Sequence, residues 1–285
     1  MDIISLRKVL KAENYIFDEA LLTTLYINQQ IQKPLLIEGA AGVGKTEIAK
    51  VLASAFGSEL IRLQCYEGLD ESKALYEWDY QKQLLSIQGF KTSVDGLFCE
   101  EFLLERPLLK AIRSDKKVVL LIDEIDKADE AFEAFLLEIL SDFQVSIPEL
   151  GTIHAKHKPI IVLTSNNTRQ LSDALRRRCT YLYIDYPEVD KEIEIIHAKL
   201  KGVPAKLAND VAYAIAQIRA SDSIYKKPSI AETLDWVSAL MALGKKTLDA
   251  EAMEQTLGFI LKSREDMLEF GKNEQLRKCF NSKHS

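Results

Sequence analysis

Residues 34–57 read PLLIEGAAGVGKTEIAKVLASAFG, and the way this stretch divides decides the fold. PLLIE (34–38) is a short apolar run opened by proline, as expected of a strand buried on both faces. In the second half, Ile48, Val51, Leu52, Ala55 and Phe56 recur at i, i+3, i+4, i+7 and i+8, one apolar stripe of a helix that Gly57 stops. The turn between them, GAAGVGKT (39–46), fits the pattern G-x-x-x-x-G-K-[ST]. Strand, glycine-rich turn and helix in that order form a phosphate cradle. Its glycines let the backbone N–H groups point inward, and the helix N-terminus adds the positive end of its dipole.

The expected ligand is a nucleoside triphosphate. Gly39, Ala40, Ala41, Gly42, Val43 and Gly44 wrap the phosphates, with Glu47 in the helical turn behind them. Lys45 is expected to reach the β- and γ-phosphates, and the Thr46 hydroxyl to ligate Mg²⁺.

Such a site needs acidic residues at the end of a second buried strand. VVLLIDEID (118–126) delivers Asp123 and Glu124 there, at the edge where ligands bind in open α/β sheets. Asp123 is expected to hold Mg²⁺ through water, and Glu124 to polarise the attacking water as general base. Asp126 and Asp129 read as exposed loop or helix-capping residues. A third strand, PIIVLTSNN (159–167), ends in polar residues. By spacing alone Thr164, Ser165, Asn166 and Asn167 compete to face the γ-phosphate, and any of them could cap the following turn.

Working outward, LIRLQC (60–65), KVVLLID (117–123), PIIVLT (159–164) and YLYID (181–185) read as further strands. DEAFEAFLLEILSDF (129–143) places Phe132, Phe135, Leu136, Ile139, Leu140 and Phe143 on one helical face. The alternation predicts an α/β fold, a parallel sheet with flanking helices and right-handed crossovers. Residues 86–98 read as a hairpin or loop inserted before the helix RPLLKAIRS, and 144–155 as a second hairpin. After Tyr186-Pro187 helix periodicity takes over. The expected domains are therefore 1–187, nucleotide-binding, and 188–285, a small all-helical lid.

The chain has 285 residues, 47% hydrophobic and 28% charged, with 37 basic and 43 acidic side chains and a net charge of −6. That balance counts against general nucleic-acid binding, which needs a positive face. The longest apolar run, Val211–Ala216, falls far below the ~18 residues that suggest a membrane span, and residues 1–14 do not read as a signal peptide. Cys65, Cys99, Cys179 and Cys279 are spaced for no metal site and read as reduced, buried thiols. A cytoplasmic location is expected.

The stretches IEGAAGVGKTEIAKVLA, RLQCYEGLDESKALYEWDYQKQLL, LLIDEIDKADEAFEAFLLEILSDFQVSIPELGTI and LTSNNTRQLSDALRRRCTYLYIDYPE resemble the AAA+ ATPases, and within them the MoxR-type branch. They are most similar to members associated with maturation of carbon monoxide dehydrogenase-type molybdoenzymes. The resemblance implies ATP with Mg²⁺, a 5-1-4-3-2 parallel sheet, a helical lid, and a homo-oligomer that is usually a hexameric ring. It also implies a von Willebrand A-domain adaptor and a client protein, with 86–98 and 144–155 on the pore and substrate side.

Position by position, Asn166 matches the sensor-1 asparagine. In DALRRRC (173–179), Arg178 matches the arginine finger, which stabilises charge on the γ-phosphoryl group of a neighbouring subunit, an effect of about 10³–10⁵ in rate. Arg176 is a candidate second contact and Arg177 an exposed residue, and a plain basic surface patch is the alternative reading of the run. Two departures stand out. Cys179 takes the place of an aromatic residue, and KKPSIAETLDW (226–236) has no arginine where relatives carry sensor 2. Lys226 and Lys227 are point charges without its fork.

The aromatics Tyr66, Tyr76, Trp78 and Tyr80 suit either a partner surface or packing. The expected function is ATP-driven remodelling of a client protein. The alternatives are a nucleotide-gated switch and, against the charge, a DNA-directed motor. The base is expected near Tyr15–Phe17, which carries no readable code for ATP over GTP.

Overall fold

The computed structural model describes residues 1–88 and 96–272. They divide into two compact units, each described by itself. One contains Met1–Val9, Asp18–Gly39 and Lys45–Ile184; the other contains Leu10–Phe17, Ala40–Gly44 and the described residues from Asp185 onward.

In chain order the helices are α1 (Ile3–Ala12), α2 (Glu19–Ile31), α3 (Lys45–Phe56), α4 (Glu71–Ala74), α5 (Tyr80–Gln88), α6 (Pro107–Arg113), α7 (Glu130–Asp142), α8 (Asp173–Arg178), α9 (Val189–Lys199), α10 (Ala205–Ala220), α11 (Ile230–Ala242), α12 (Ala250–Thr256) and α13 (Arg264–Lys272). The strands are β1 (Leu35–Gly39), β2 (Leu60–Gln64), β3 (Tyr76–Trp78), β4 (Leu103–Glu105), β5 (Val119–Asp123), β6 (Gln144–Ile147), β7 (Gly151–His154), β8 (Ile160–Ser165) and β9 (Thr180–Ile184).

The first unit is built on a five-stranded sheet in the order β2-β5-β8-β1-β9, all pairs parallel. Counting only these five strands along the chain, the order is 2-3-4-1-5, which is 5-1-4-3-2 read from the other edge. The three inner strands β1, β5 and β8 are buried at every residue, because helices cover both faces of a parallel sheet. The edge strands β2 and β9 alternate between covered and exposed side chains. Leu36, Leu120, Ile122 and Leu163 from the sheet pack with Leu108, Ile112, Leu136 and Ile139 from α6 and α7 in one core.

The helices start where local chemistry starts them. Pro107 stands in the first turn of α6, where its missing N–H costs nothing. Asp129 caps α7 by accepting the Phe132 N–H at 2.8 Å.

The 144–155 hairpin is present as the antiparallel pair β6–β7. The expected insert at 86–98 differs at its start, since α5 continues through Gln88; residues 89–95 lie outside the described residues, as does Cys279. A second antiparallel pair, β3–β4, joins Tyr76–Trp78 to Leu103–Glu105. Strands this short carry too little alternation to be read from sequence.

The second unit is helical from α9 to α13. Trp236, fully buried, donates its indole N–H to Thr256 Oγ1 at 2.6 Å, and Leu207, Val211, Ile215, Leu240 and Phe270 fill the space around it. A buried ion pair crosses the helices: Arg219 grips Glu192 with two bonds of 2.6 and 3.0 Å and lies 4.5 Å from the centre of the Tyr186 ring. Thr233 donates to the same carboxylate at 2.8 Å. Ser229 and Glu232 form a capping box at the start of α11. Gly42 has φ +74° and lies so near Ser229 that a Cβ there would stand 2.4 Å from the serine Cβ. The position excludes a side chain on both counts.

Candidate active site

The first unit gathers the ends of β1, β5 and β8 around the start of α3. Parallel strands present their C-terminal ends on one edge, so residues far apart in sequence converge there. Lys45, the first residue of α3, donates from Nζ to the Gly39 carbonyl at 2.8 Å and to Asn166 Oδ1 at 2.8 Å. Thr46 Oγ1 donates to Asp123 Oδ1 at 3.1 Å. Asn166 Nδ2 points at Glu124 Oε1 from 3.4 Å. Five residues singled out in the sequence therefore meet: Lys45, Thr46, Asp123, Glu124 and Asn166.

Gly44, with φ +94°, adopts a backbone conformation that side-chain-bearing residues rarely reach. Glu124 is held in the left-handed region too, at φ 55° and ψ 50°. For a residue with a Cβ this costs roughly 1–2 kcal/mol, and such strain concentrates at functional sites. A bond from the Glu124 N–H to Thr164 Oγ1 at 2.9 Å holds the turn. Thr164 donates in turn to Asp123 Oδ1 at 2.5 Å. Among the four polar residues at 164–167, only Asn166 has described contacts with both Lys45 and Glu124. Thr164 braces the acidic pair, and Ser165 accepts the Asn167 N–H at 3.0 Å.

Burial pushes the Lys45 ammonium below its ordinary range, while the carboxylates of Asp126, Asp123 and Glu124 oppose that shift. Of the cysteines expected to be buried, Cys65 is, whereas Cys99 and Cys179 are partly exposed. Desolvation raises the Cys65 thiol to about 12, with the same acidic cluster adding to it. Desolvation likewise raises Cys179 to about 12, opposed by Lys33 and Arg178. Both of these thiols stay protonated, and no cluster among the described residues is arranged for a soft metal. The Thr46 hydroxyl and Asp123 carboxylate are hard oxygen donors side by side, a set that fits Mg²⁺.

Asp126 corrects the sequence reading. It is 4% exposed and accepts bonds from the loop after β8. Burial alone would raise its carboxyl, but bonds from the Thr168 hydroxyl, the Thr168 N–H and the Asn166 N–H hold it below its ordinary value.

Two residues that sequence reasoning passed over act on the acidic pair. Arg62 reaches Asp123 Oδ2 and Gln64 Oε1, each at 2.5 Å, and Gln64 Nε2 donates to Glu124 Oε2 at 3.1 Å. The signal was available: in LIRLQC the polar residues fall at i and i+2, one face of an edge strand.

The remaining candidates make other contacts among the described residues. Glu47 pairs with Lys50 at 3.1 Å. Arg178 donates to Ser141 Oγ at 2.5 Å and to the Ala174 carbonyl at 2.9 Å. Arg176 pairs with buried Glu38 at 3.1 Å and lies over the Tyr181 ring, while Arg177 is exposed. In the second unit, Lys227 Nζ bonds to the Ser221 carbonyl. The aromatic stretch divides in two: Trp78 is buried, and Tyr66 and Tyr80 are exposed.

Among curated proteins, the chain is 33% identical over 132 residues to the ATP-dependent Clp protease ATP-binding subunit ClpA homolog of Porphyra purpurea, covering 46% of this chain and 14% of that protein. It is 30% identical over 156 residues to the chloroplastic chaperone protein ClpC of Pisum sativum, covering 54% of this chain and 15% of the other. The chain thus spans about a seventh of these relatives. Its fold is similar to that of the RuvB Holliday junction branch migration motor of Thermotoga maritima, with a TM-score of 0.51 at 17% identity over 92% of this chain and 71% of that one. The model of the AAA domain, dynein-related subfamily, matches residues 34–179, and the chain belongs to that AAA+ family.

Proposed function

We propose that this chain is the Mg²⁺-dependent ATPase module of a ring-forming remodelling machine of the MoxR type. The observation that carries the proposal is that the Asn166 carboxamide lies within hydrogen-bond reach of both Lys45 and Glu124. Lys45 takes the phosphate charge, Glu124 draws the proton from the attacking water, and Asn166 orients that water. Thr46 and Asp123 would hold Mg²⁺, which would supply charge neutralisation for the phosphates. The names of the Clp relatives, an ATP-binding subunit and a chaperone, support ATP as the nucleotide and a protein as the client.

Arg178 serves the neighbouring subunit's site as arginine finger. It exchanges its Ser141 and Ala174 contacts for γ-phosphate oxygens when subunits meet, a task suited to a planar, permanently charged guanidinium. A hexameric ring, a von Willebrand A-domain adaptor and a client such as a molybdenum hydroxylase awaiting its cofactor complete the reading. These rest on the resemblance of the quoted stretches.

The test is ATP hydrolysis per subunit against protein concentration with excess Mg²⁺, followed by titration of an Arg178→Ala chain into the wild type. Specific activity should climb with concentration, and the variant should poison the mixture. Activity indifferent to both would remove the shared site.

A nucleotide-gated switch is the second reading. Gln64 holding Glu124, and Arg62 holding Asp123, favour it, since both acids are engaged by the protein itself. Tight ATP binding without turnover would be its outcome. RuvB is named a Holliday junction branch migration motor; the net charge of −6 weighs against a DNA substrate here.

A further inference from the structure

Asn166 meets Lys45 and Glu124 through its side chain, while its backbone is held by the Asp126 carboxylate. Asp126 Oδ1 accepts the Asn166 N–H at 3.2 Å. Its Oδ2 accepts the Thr168 N–H at 3.0 Å and the Thr168 hydroxyl at 2.6 Å. Both oxygens are thus engaged by residues 166–168, and Asn167 between them is in the left-handed region at φ 57°. The loop is wound tightly around one buried acid.

Strand β8 ends at Ser165, so Asn166 lies beyond the ladder that fixes its neighbours. Asp126 follows Glu124 in the short 3₁₀ turn Ile125–Lys127. It therefore ties the loop after β8 to the turn that bears Glu124.

We propose that Asp126 is a positioning residue for ATP hydrolysis. By holding the backbone of Asn166 and Thr168, it sets the angle at which the Asn166 carboxamide meets Lys45 Nζ and Glu124. It touches no reacting atom itself. The inference rests on the reading of Asn166 as the water-orienting side chain.

The experiment is steady-state ATP hydrolysis by the full chain with excess Mg²⁺. Asp126→Asn keeps the shape but turns an amide NH₂ toward backbone donors. It should lower kcat on the order of 10²-fold, the cost of a small misplacement at a reacting centre, while KM for ATP stays within about threefold. Combined with Asn166→Ala it should be no slower than Asn166→Ala alone, to within about twofold, because both act through one side chain. Thr168→Val should lower kcat in the same sense, and Thr168→Ser should recover most of the loss.

Losses that multiply in the double variant, or a Thr168→Val chain that turns over like wild type, would overturn the role of Asp126. So would unchanged turnover by Asp126→Asn in a chain that Asn166→Ala cripples. An Asn166→Ala chain with undiminished turnover would instead refute the reading of Asn166 beneath it.

Discussion

Lys45 Nζ and Asn166 Oδ1 stand 2.8 Å apart, although 121 residues separate them in the chain. The bond joins the first helical residue after β1 to the loop after β8, and it orients the carboxamide. With Oδ1 accepting from the ammonium, Nδ2 is the face left toward Glu124, 3.4 Å away. The same contact predicts different losses on the two sides. Lys45→Met should abolish ATP binding, because the cluster loses the ammonium proposed to take the phosphate charge. Asn166→Ala should bind ATP within about threefold of wild type yet lose roughly 10²-fold in kcat. Fluorescent-nucleotide titration and phosphate release measured on the same samples check both.

Arg62 engages Asp123, one of the two residues proposed to hold Mg²⁺. The guanidinium is about half exposed, and the carboxylate is buried. A pair of this kind contributes roughly 0.2–1 kcal/mol after solvent screening. Removing it by Arg62→Ala should lower the Mg²⁺ concentration giving half-maximal activity by about 1.4- to fivefold. A rise in that concentration would mean that Arg62 helps to assemble the site.

Asp126 also sets an acid limit to stability. Its carboxyl lies below the ordinary value of 3.8 in the fold, so its hydrogen bonds stabilise fully above that value. The contribution is lost as pH falls through the lower, folded value. The stability gap between wild type and Asp126→Asn should therefore be constant near neutrality and close as the pH drops below about 4. Urea unfolding at a series of pH values measures it.

Glu192 and Arg219 are 1% and 8% exposed at their side chains, so deleting one strands the other. Glu192→Ala should cost about 3–5 kcal/mol in chemical unfolding, chiefly in the helical unit. Replacing both by apolar residues should recover much of that loss.

The phosphate loop was legible because strand, turn and helix signals follow one another within residues 34–57. The parallel sheet was legible because its inner strands open on near-continuous apolar runs. What escaped depends on distant neighbours. Asn166 could not be told from Thr164, Ser165 or Asn167 by spacing, since the point at which β8 leaves the sheet decides which side chain reaches Lys45. Asp126 resembled a solvated loop residue, and it is the loop after β8 that buries it. Arg62 and Gln64 lay in a stretch read simply as a strand, and their role follows from β2 being a sheet edge with one open face. The helical character of 86–88 was missed because α5 is a weak stripe ended close to two glycines, Gly89 and Gly96.

The most direct measurement compares wild type with Glu124→Gln for ATP affinity by calorimetry and for phosphate release under the same conditions with excess Mg²⁺. Matching affinities are expected, with turnover in the variant reduced by at least about 10²-fold because the proposed general base is gone. A Glu124→Gln chain that releases phosphate at the wild-type rate would contradict that role.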